Sequence, residues 1–244
     1  MAAELAAQTL LQIGPFPLTN TLLHTFLVDG LVITGIVALK KRISLVPGFF
    51  QNAVELVVEG LYDLTTSIAP KNAMSIFPWF MSFFVFILVA NWTSLFPGFG
   101  TIGFHTKEGF VPLLKGAASD LNFTLGLALV SAVATHVLAI RAIGIWEYLS
   151  RYFSINPIFL FVGILELVGE ITKVISLSFR LFGNIFAGEV VLSTVSSIFA
   201  FILPLPFISL EIIVGLVQAL VFAILTMAFM AILSTSHHAE GGEH

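Results

Sequence analysis

The chain has 244 residues, is 58% hydrophobic and only 10% charged, and carries a net charge of −4. Soluble domains average about 45–50% apolar and about 25% charged residues, so this composition, with a mean hydropathy of +1.05, excludes a water-soluble fold. The apolar runs are continuous rather than alternating, which excludes a transmembrane β-barrel. There is no basic cluster to suit nucleic acid, and the absence of cysteine removes any disulfide framework or thiolate metal site.

The opening residues, Met1-Ala2-Ala3-Glu4, lack a basic n-region, which argues against a cleaved signal peptide. The first predicted span is Thr21–Leu39, followed at once by Lys40-Lys41-Arg42. Positive residues favour the cytoplasmic side, so the N-terminus is expected outside. Ser44–Pro70 reads as an amphipathic helix along the cytoplasmic interface, because Glu55, Glu59 and Asp63 recur four apart opposite an apolar face. A helix facing water between two spans is the alternative. Phe77–Phe96 is the second span, with Trp79 and Trp92 placed like interfacial anchors and Pro97-Gly98 at its end. A Gly/Pro-rich external loop runs to Ser119, and Asp120–Ile140 returns inward to Arg141. Asp120 and Asn122 at its start are explained as well by helix capping as by transport.

Ala142–Ile155 reads as a cytoplasmic connection. Asn156-Pro157 then signals a helix start, with Asn at the N-cap and Pro at the first helical position. From Asn156 to about Leu203 the chain allows nearly 50 residues of helix, roughly 70 Å at 1.5 Å per residue, against a hydrocarbon core of about 30 Å. Such a helix must be tilted, kinked or broken. Pro204 and Pro206 mark a turn, Phe207–Leu233 is the last helix, and Ser234–His244 is a polar tail. Its His237, His238 and His244 read as solvated side chains rather than metal ligands. The expected fold is one all-α membrane domain over residues 1–244, with about five to six helices and a long tilted hairpin at 156–234. The C-terminus is expected in the cytoplasm. Lys40, Lys41, Arg42, Lys71, Arg141 and Arg151 fall inside, and only Lys107 and Lys115 outside.

Arg180 lies about midway along this long apolar stretch. A guanidinium stays protonated at physiological pH, and at a bilayer centre it costs about 2.5–3.5 kcal/mol on insertion scales. Something must face it: water, a carboxylate or a partner protein. With each residue turning 100°, Lys173 lies at about +20° from Arg180, and Glu166 and Asn184 at about +40°. Gly169, Ser176, Gly183 and Ala187 share that face, whose small side chains admit another helix closely. Glu189 is about 180° around and points elsewhere. Glu211 and Gln218 lie seven apart on one face of the last helix, with Gly215 between. In an antiparallel hairpin one register pairs Arg180 with Gln218 and Glu189 with Glu211. That register centres near residue 199, whereas the prolines centre the turn nearer 205. His24 and Asp29 in the first span read as structural or peripheral.

At these residues the chain resembles subunit a of F-type ATP synthases, the stationary membrane partner of the rotating c-ring. The resemblance rests on Arg180-Leu181-Phe182-Gly183-Asn184 with Ala187-Gly188-Glu189, and on Gln218-Ala219-Leu220-Val221-Phe222. Weaker matches are Asp120-Leu121-Asn122 and Asn91-Trp92 before Pro97-Gly98. It implies that Arg180 faces the c-ring carboxylates, that Gln218 packs near it, and that Asn184, Glu189 and Glu211 line an access path from outside. Many relatives carry histidine at one of the two glutamate positions; here both are carboxylates. Glu166, Glu170 and Lys173 are candidates for the inner path, and Asp120, Asn122 and Asn91 for further lining. The implied partners are the c-ring, peripheral-stalk b subunits, the other ATP synthase subunits and the lipid bilayer. The implied setting is a bacterial plasma membrane. Neither cofactor nor metal is expected, and no GxxxxGK[ST] loop is present, so nucleotide chemistry belongs to other subunits. The rival is a self-contained secondary transporter or channel, which inverted repeats or paired broken helices would favour; the sequence carries neither.

Overall fold

A computed structural model describes residues 8–13, 16–96, 99, 102–106, 109–152, 157–198 and 204–235. Among these, seven helices carry the architecture: α1 (Asn20–Arg42), α2 (Phe49–Ile68), α3 (Ala73–Ser94), α4 (Leu121–Ile143), α5 (Ile145–Tyr152), α6 (Pro157–Ile198) and α7 (Pro204–Leu233). Helices α1, α3, α4 and α7 are each long and apolar enough to cross a membrane. The chain is therefore an all-α membrane protein. One helix more than expected is present, because the connection after α4 folds into the short α5. The positive φ of Gly144, +86°, turns the chain between α4 and α5, a conformation open to glycine at little cost. Two small antiparallel hairpins lie outside the helices. One joins β1 (Thr9–Ile13) to β2 (Phe16–Thr19), and the other joins β3 (Gly103–Thr106) to β4 (Gly109–Pro112) within the loop after α3. Neither was expected, since both are too short for a clear alternating pattern. Pro97-Gly98, Lys107, Asn156 and the tail histidines lie outside the described residues.

Helix ends follow local chemistry. Thr19 caps α1 through Leu22 N at 3.2 Å, and Asp120 caps α4 through Asn122 N at 2.9 Å, each side-chain oxygen satisfying an otherwise orphaned donor. Pro157 and Pro204 open α6 and α7, positions where proline forfeits no helical hydrogen bond. The prolines near 205 thus belong to the first turn of α7 and not to the centre of the turn, which resolves the register discrepancy.

Helix α3 packs antiparallel on α7: Asn72 meets Ser234, Phe83 meets Phe222, and Asn91 meets Gly215. Helix α6 also packs antiparallel on α7, through Lys173 with Phe229, Asn184 with Gln218, and Gly188 with Glu211. The expected hairpin is therefore present. At 42 residues α6 is roughly 63 Å long, about twice the hydrocarbon thickness, so it stays within a bilayer only at a steep inclination. The core lies between α3, α4, α6 and α7, around Phe80, Ile87, Leu181, Phe222, Met227 and Met230. Lipid tails are as apolar as these side chains, so close packing and buried hydrogen bonds, rather than water exclusion, hold the helices together. Ser131 with Thr226 at 2.8 Å and Thr124 with Ser178 at 3.1 Å are two such interhelical bonds.

The α5–α6 corner is tightest at Gly163, where an added Cβ would overlap the backbone of Tyr152. Backbone cannot yield as a side chain does. Gly163→Ala is therefore expected to destabilise the protein by about 1–3 kcal/mol, the usual cost of overpacking. A lowered melting temperature of the detergent-solubilised complex would register it; an unchanged one would refute the packing.

Candidate functional site

The two polar stretches of the hairpin meet, but not in the pairs expected. Asn184 Nδ2 donates to Gln218 Oε1 at 2.5 Å, so Gln218 sits one helical turn away from an Arg180 partnership. Arg180 instead reaches back along its own helix, where Nη2 approaches Ser176 Oγ at 3.4 Å. It has no carboxylate partner among the described residues. The reason is angular. Leu177, Leu181 and Ile185 take the buried face of α6, leaving Ser176, Arg180, Gly183, Asn184 and Ala187 exposed. A Cβ built on Gly169 or Gly183 meets nothing within 4 Å. This stripe of small residues is thus left open by the chain's own packing, with a permanent cation in it.

Glu211 occupies the other side of the hairpin. It is buried, and its carboxylate lies where a Cβ on Gly188 would be, so only glycine permits the approach. Glu189, the next residue, is half-buried on α6. The single register anticipated for the glutamates therefore holds to within a residue. Glu211 Oε1 and Asn91 Oδ1 are buried with no hydrogen-bond partner among the described residues. Asn91 Nδ2 donates to Gly215 O at 3.0 Å and Trp92 Nε1 to Ile212 O at 3.1 Å. A Cβ on Gly215 would lie 3.2 Å from Asn91 Cβ, so this close α3–α7 seam also depends on glycine. Orphaned acceptors along one seam call for water.

Other candidates fall into distinct places. Asp120 is buried and fully engaged, capping α4 and accepting from Thr21 Oγ1 at 3.1 Å; the Asn122 side chain is exposed. Near the start of α6, Glu166 pairs with Arg151 at 2.7 Å and Glu170 with Lys173 at 2.6 Å. Lys173 also sits 4.6 Å from the Phe229 ring centroid, a cation–π contact. Beside them, Tyr148 OH bonds His136 Nδ1 at 2.8 Å. Burial, then the Tyr148 hydroxyl and the Glu166 and Glu170 charges, push the Tyr152 phenol well above its ordinary range.

His24, read as structural or peripheral from sequence, is a fully buried junction. Ala117 N donates to its Nδ1 at 2.9 Å, so Nδ1 is unprotonated and Nε2–H donates to Thr93 Oγ1 at 2.9 Å. It ties α1 to α3 and to the turn before α4. Asp29 is exposed on α1. Sequence reasoning missed Asn20, Thr21, Thr124 and Ser178, buried polar residues grouped near the same end. Small hydroxyls inside apolar spans were the available signal, but many such residues merely bond their own helix backbone, as Thr172 does.

The fold and the site define a multi-pass helical protein that keeps a guanidinium on an unfilled face and a buried carboxylate on a helix apolar enough to span a membrane, features suited to ion translocation. The chain matches the family described as ATP synthase A chain over residues 21–231, and it belongs to that family. It is 30% identical over 219 residues to ATP synthase subunit a of Moorella thermoacetica, covering 90% of this chain and 92% of the relative. It is also 30% identical over 224 residues to ATP synthase subunit a 2 of Pelobacter propionicus, covering 92% and 90%. The chain is thus a membrane subunit of an ATP synthase's proton-translocating sector, with other subunits of that complex as partners.

Proposed function

We propose that this chain is the non-catalytic stator that feeds protons to, and drains them from, carboxylates carried on a rotating c-ring. The observation that carries the reading is the exposed Arg180 on a stripe of small side chains, with no carboxylate partner among the described residues. A ring helix bearing an acid fits that vacancy in shape and in charge. A continuous pore would dissipate the gradient, so two dead-end paths are required. The outer one is assigned to Asn184, Glu189, Glu211 and Gln218, with Asn91 along the seam and Asp120 and Asn122 near its mouth. The inner one is bordered by Glu166, Glu170 and Lys173.

During synthesis a proton reaches Glu189 and Glu211 from outside and neutralises a ring carboxylate. Neutralisation removes most of the desolvation cost, so the site can turn through lipid. At the inner path it deprotonates, and Arg180 attracts the ionised site while barring direct leakage. Each charge crossing gains about 2.3 kcal/mol per 100 mV, so several protons serve each ATP. The N-terminus is placed outside and the C-terminus in the cytoplasm of a bacterial inner membrane, with peripheral-stalk b subunits holding the chain still.

The test compares this chain alone with the whole complex in liposomes. The chain alone should show no rapid coupled transport, and the complex should pump on ATP. Glu189→Gln in the complex should slow pumping while leaving assembly intact. Rapid transport by the isolated chain would favour the self-contained transporter and overturn the stator.

A further inference from the structure

A cleft of about 320 Å³ opens at the opposite end of the bundle from His24, where the ends of α3, α4 and α7 converge. Its polar lining is Lys71, Asn72, Glu147, Ser234 and Thr235. None of these belongs to the site described above. Two of their atoms are buried with no hydrogen-bond partner among the described residues: Glu147 Oε1 and Ser234 Oγ. Ser234 is only 5% exposed. Its backbone is occupied, since Ser234 N donates to Met230 O and Ser234 O accepts from Asn72 Nδ2, but its hydroxyl is not. Orphaned buried polar atoms are uncommon in native proteins and ask for an explanation.

The cleft sets a cation, Lys71, and an acceptor-only carboxylate, Glu147, across a space large enough for a small polar group. A simple anion would satisfy Lys71 and repel Glu147, and a simple cation would do the reverse. A zwitterion with an N–H-bearing ammonium and a phosphate satisfies both, and the Ser234 hydroxyl can donate to a phosphate oxygen, whereas the Thr235 hydroxyl proton already goes to Ile232 O at 2.8 Å. Depth identifies the source. Lys71 and Asn72 stand immediately before α3, Ala142 and Ile143 at the end of α4, Glu147 in the first turn of α5, and Ser234 and Thr235 immediately after α7; α3, α4 and α7 are able to span a membrane, so the cleft lies at head-group level. The same segments expose apolar side chains, with Met74 at 83%, Trp146 at 83% and Ile232 at 56%, where acyl chains would run. We infer that this cleft binds the phosphoethanolamine head group of an aminophospholipid, clamping together the ends of α3, α4 and α7.

The experiment uses the purified whole complex in nanodiscs containing photoactivatable phosphatidylethanolamine, phosphatidylcholine or phosphatidylglycerol, with labelled peptides read by mass spectrometry. Phosphatidylethanolamine should label the segments around residues 71–74, 142–147 and 232–235 in preference to the other two. Phosphatidylcholine carries no N–H for Glu147, and phosphatidylglycerol carries no cation at all. A charged hydrogen bond is worth about tenfold or more in occupancy, so Glu147→Gln and Lys71→Gln should each lower that labelling by about tenfold. Glycerophosphoethanolamine, the head group without tails, should compete only at far higher concentration. Equal labelling by all three lipids would overturn the inference and leave the cleft to water or to unselective lipid. Labelling indifferent to Glu147→Gln would overturn it too. Competition by the tail-less head group at the lipid's own potency would overturn the membrane source. The lipid comparison needs only the unaltered protein, so it stands even where a variant fails to assemble.

Discussion

Arg180→Ala is expected to reduce ATP-driven proton pumping to background while the subunit remains in the complex. The structure explains why these two outcomes separate. Arg180 is exposed and makes one long bond, 3.4 Å to Ser176, so its removal costs the fold almost nothing. Leu177, Leu181 and Ile185 on the opposite face keep α6 in place. What is lost, under the proposed function, is the charge that would attract the ionised ring carboxylate and keep the two paths apart. Passive proton leakage should therefore rise as pumping disappears. Arg180→Lys should not restore normal pumping, because an ammonium is a compact, strongly hydrated point charge without the planar fork of donors, and it can lose its proton. Quenching of a ΔpH dye in membrane vesicles reads the pumping, and subunit content read by immunoblot gives assembly. Normal pumping by the alanine variant would remove the basis of the stator assignment.

Gly188→Ala should lower the pumping rate roughly tenfold, the equivalent of about 1.4 kcal/mol, with a much smaller effect on assembly. The added Cβ falls on the Glu211 carboxylate. Only the far end of that side chain is in the way, so it rotates aside rather than forcing the helices apart. Glu211 is buried, however, at 8% exposed, and a rotated carboxylate no longer sits against Gly188. Glu211→Asp withdraws the acid by one methylene and keeps its chemistry. In the Gly188→Ala background it should recover part of the lost rate, a coupling that separate sites would not produce. An unimpaired Gly188→Ala enzyme would show that the glutamate's position does not matter.

Much of this molecule could be read directly from its residues. The spans were legible because a bilayer demands long, uninterrupted apolar helices, and their observed ends differ from the expected ones by a few residues. The antiparallel hairpin was legible from an apolar stretch too long to cross a bilayer upright and from the turn marked by Pro204 and Pro206, while Glu211 and Gln218, seven apart, share one face of its second helix. What could not be read was which residue of each stripe meets which. A shift of one turn replaces Arg180 by Asn184 as the partner of Gln218, and such a shift follows from packing along the whole length of α6 and α7 rather than from any local pattern.

The sequence by itself determined the membrane class, the number of long spans and the presence of an arginine that must find a partner, because composition and helical period act locally and need no neighbours; the family was carried by the motifs around Arg180 and Gln218. Only the tertiary structure decided that Arg180 is left open while Asn184 takes Gln218, that Gly188 makes room for Glu211, and that His24 ties three segments together. It alone gathered Lys71, Glu147 and Ser234 around one cleft. Each of these depends on residues far apart in the chain being brought to within a few ångströms, and that distance is set by the packing of whole helices against one another.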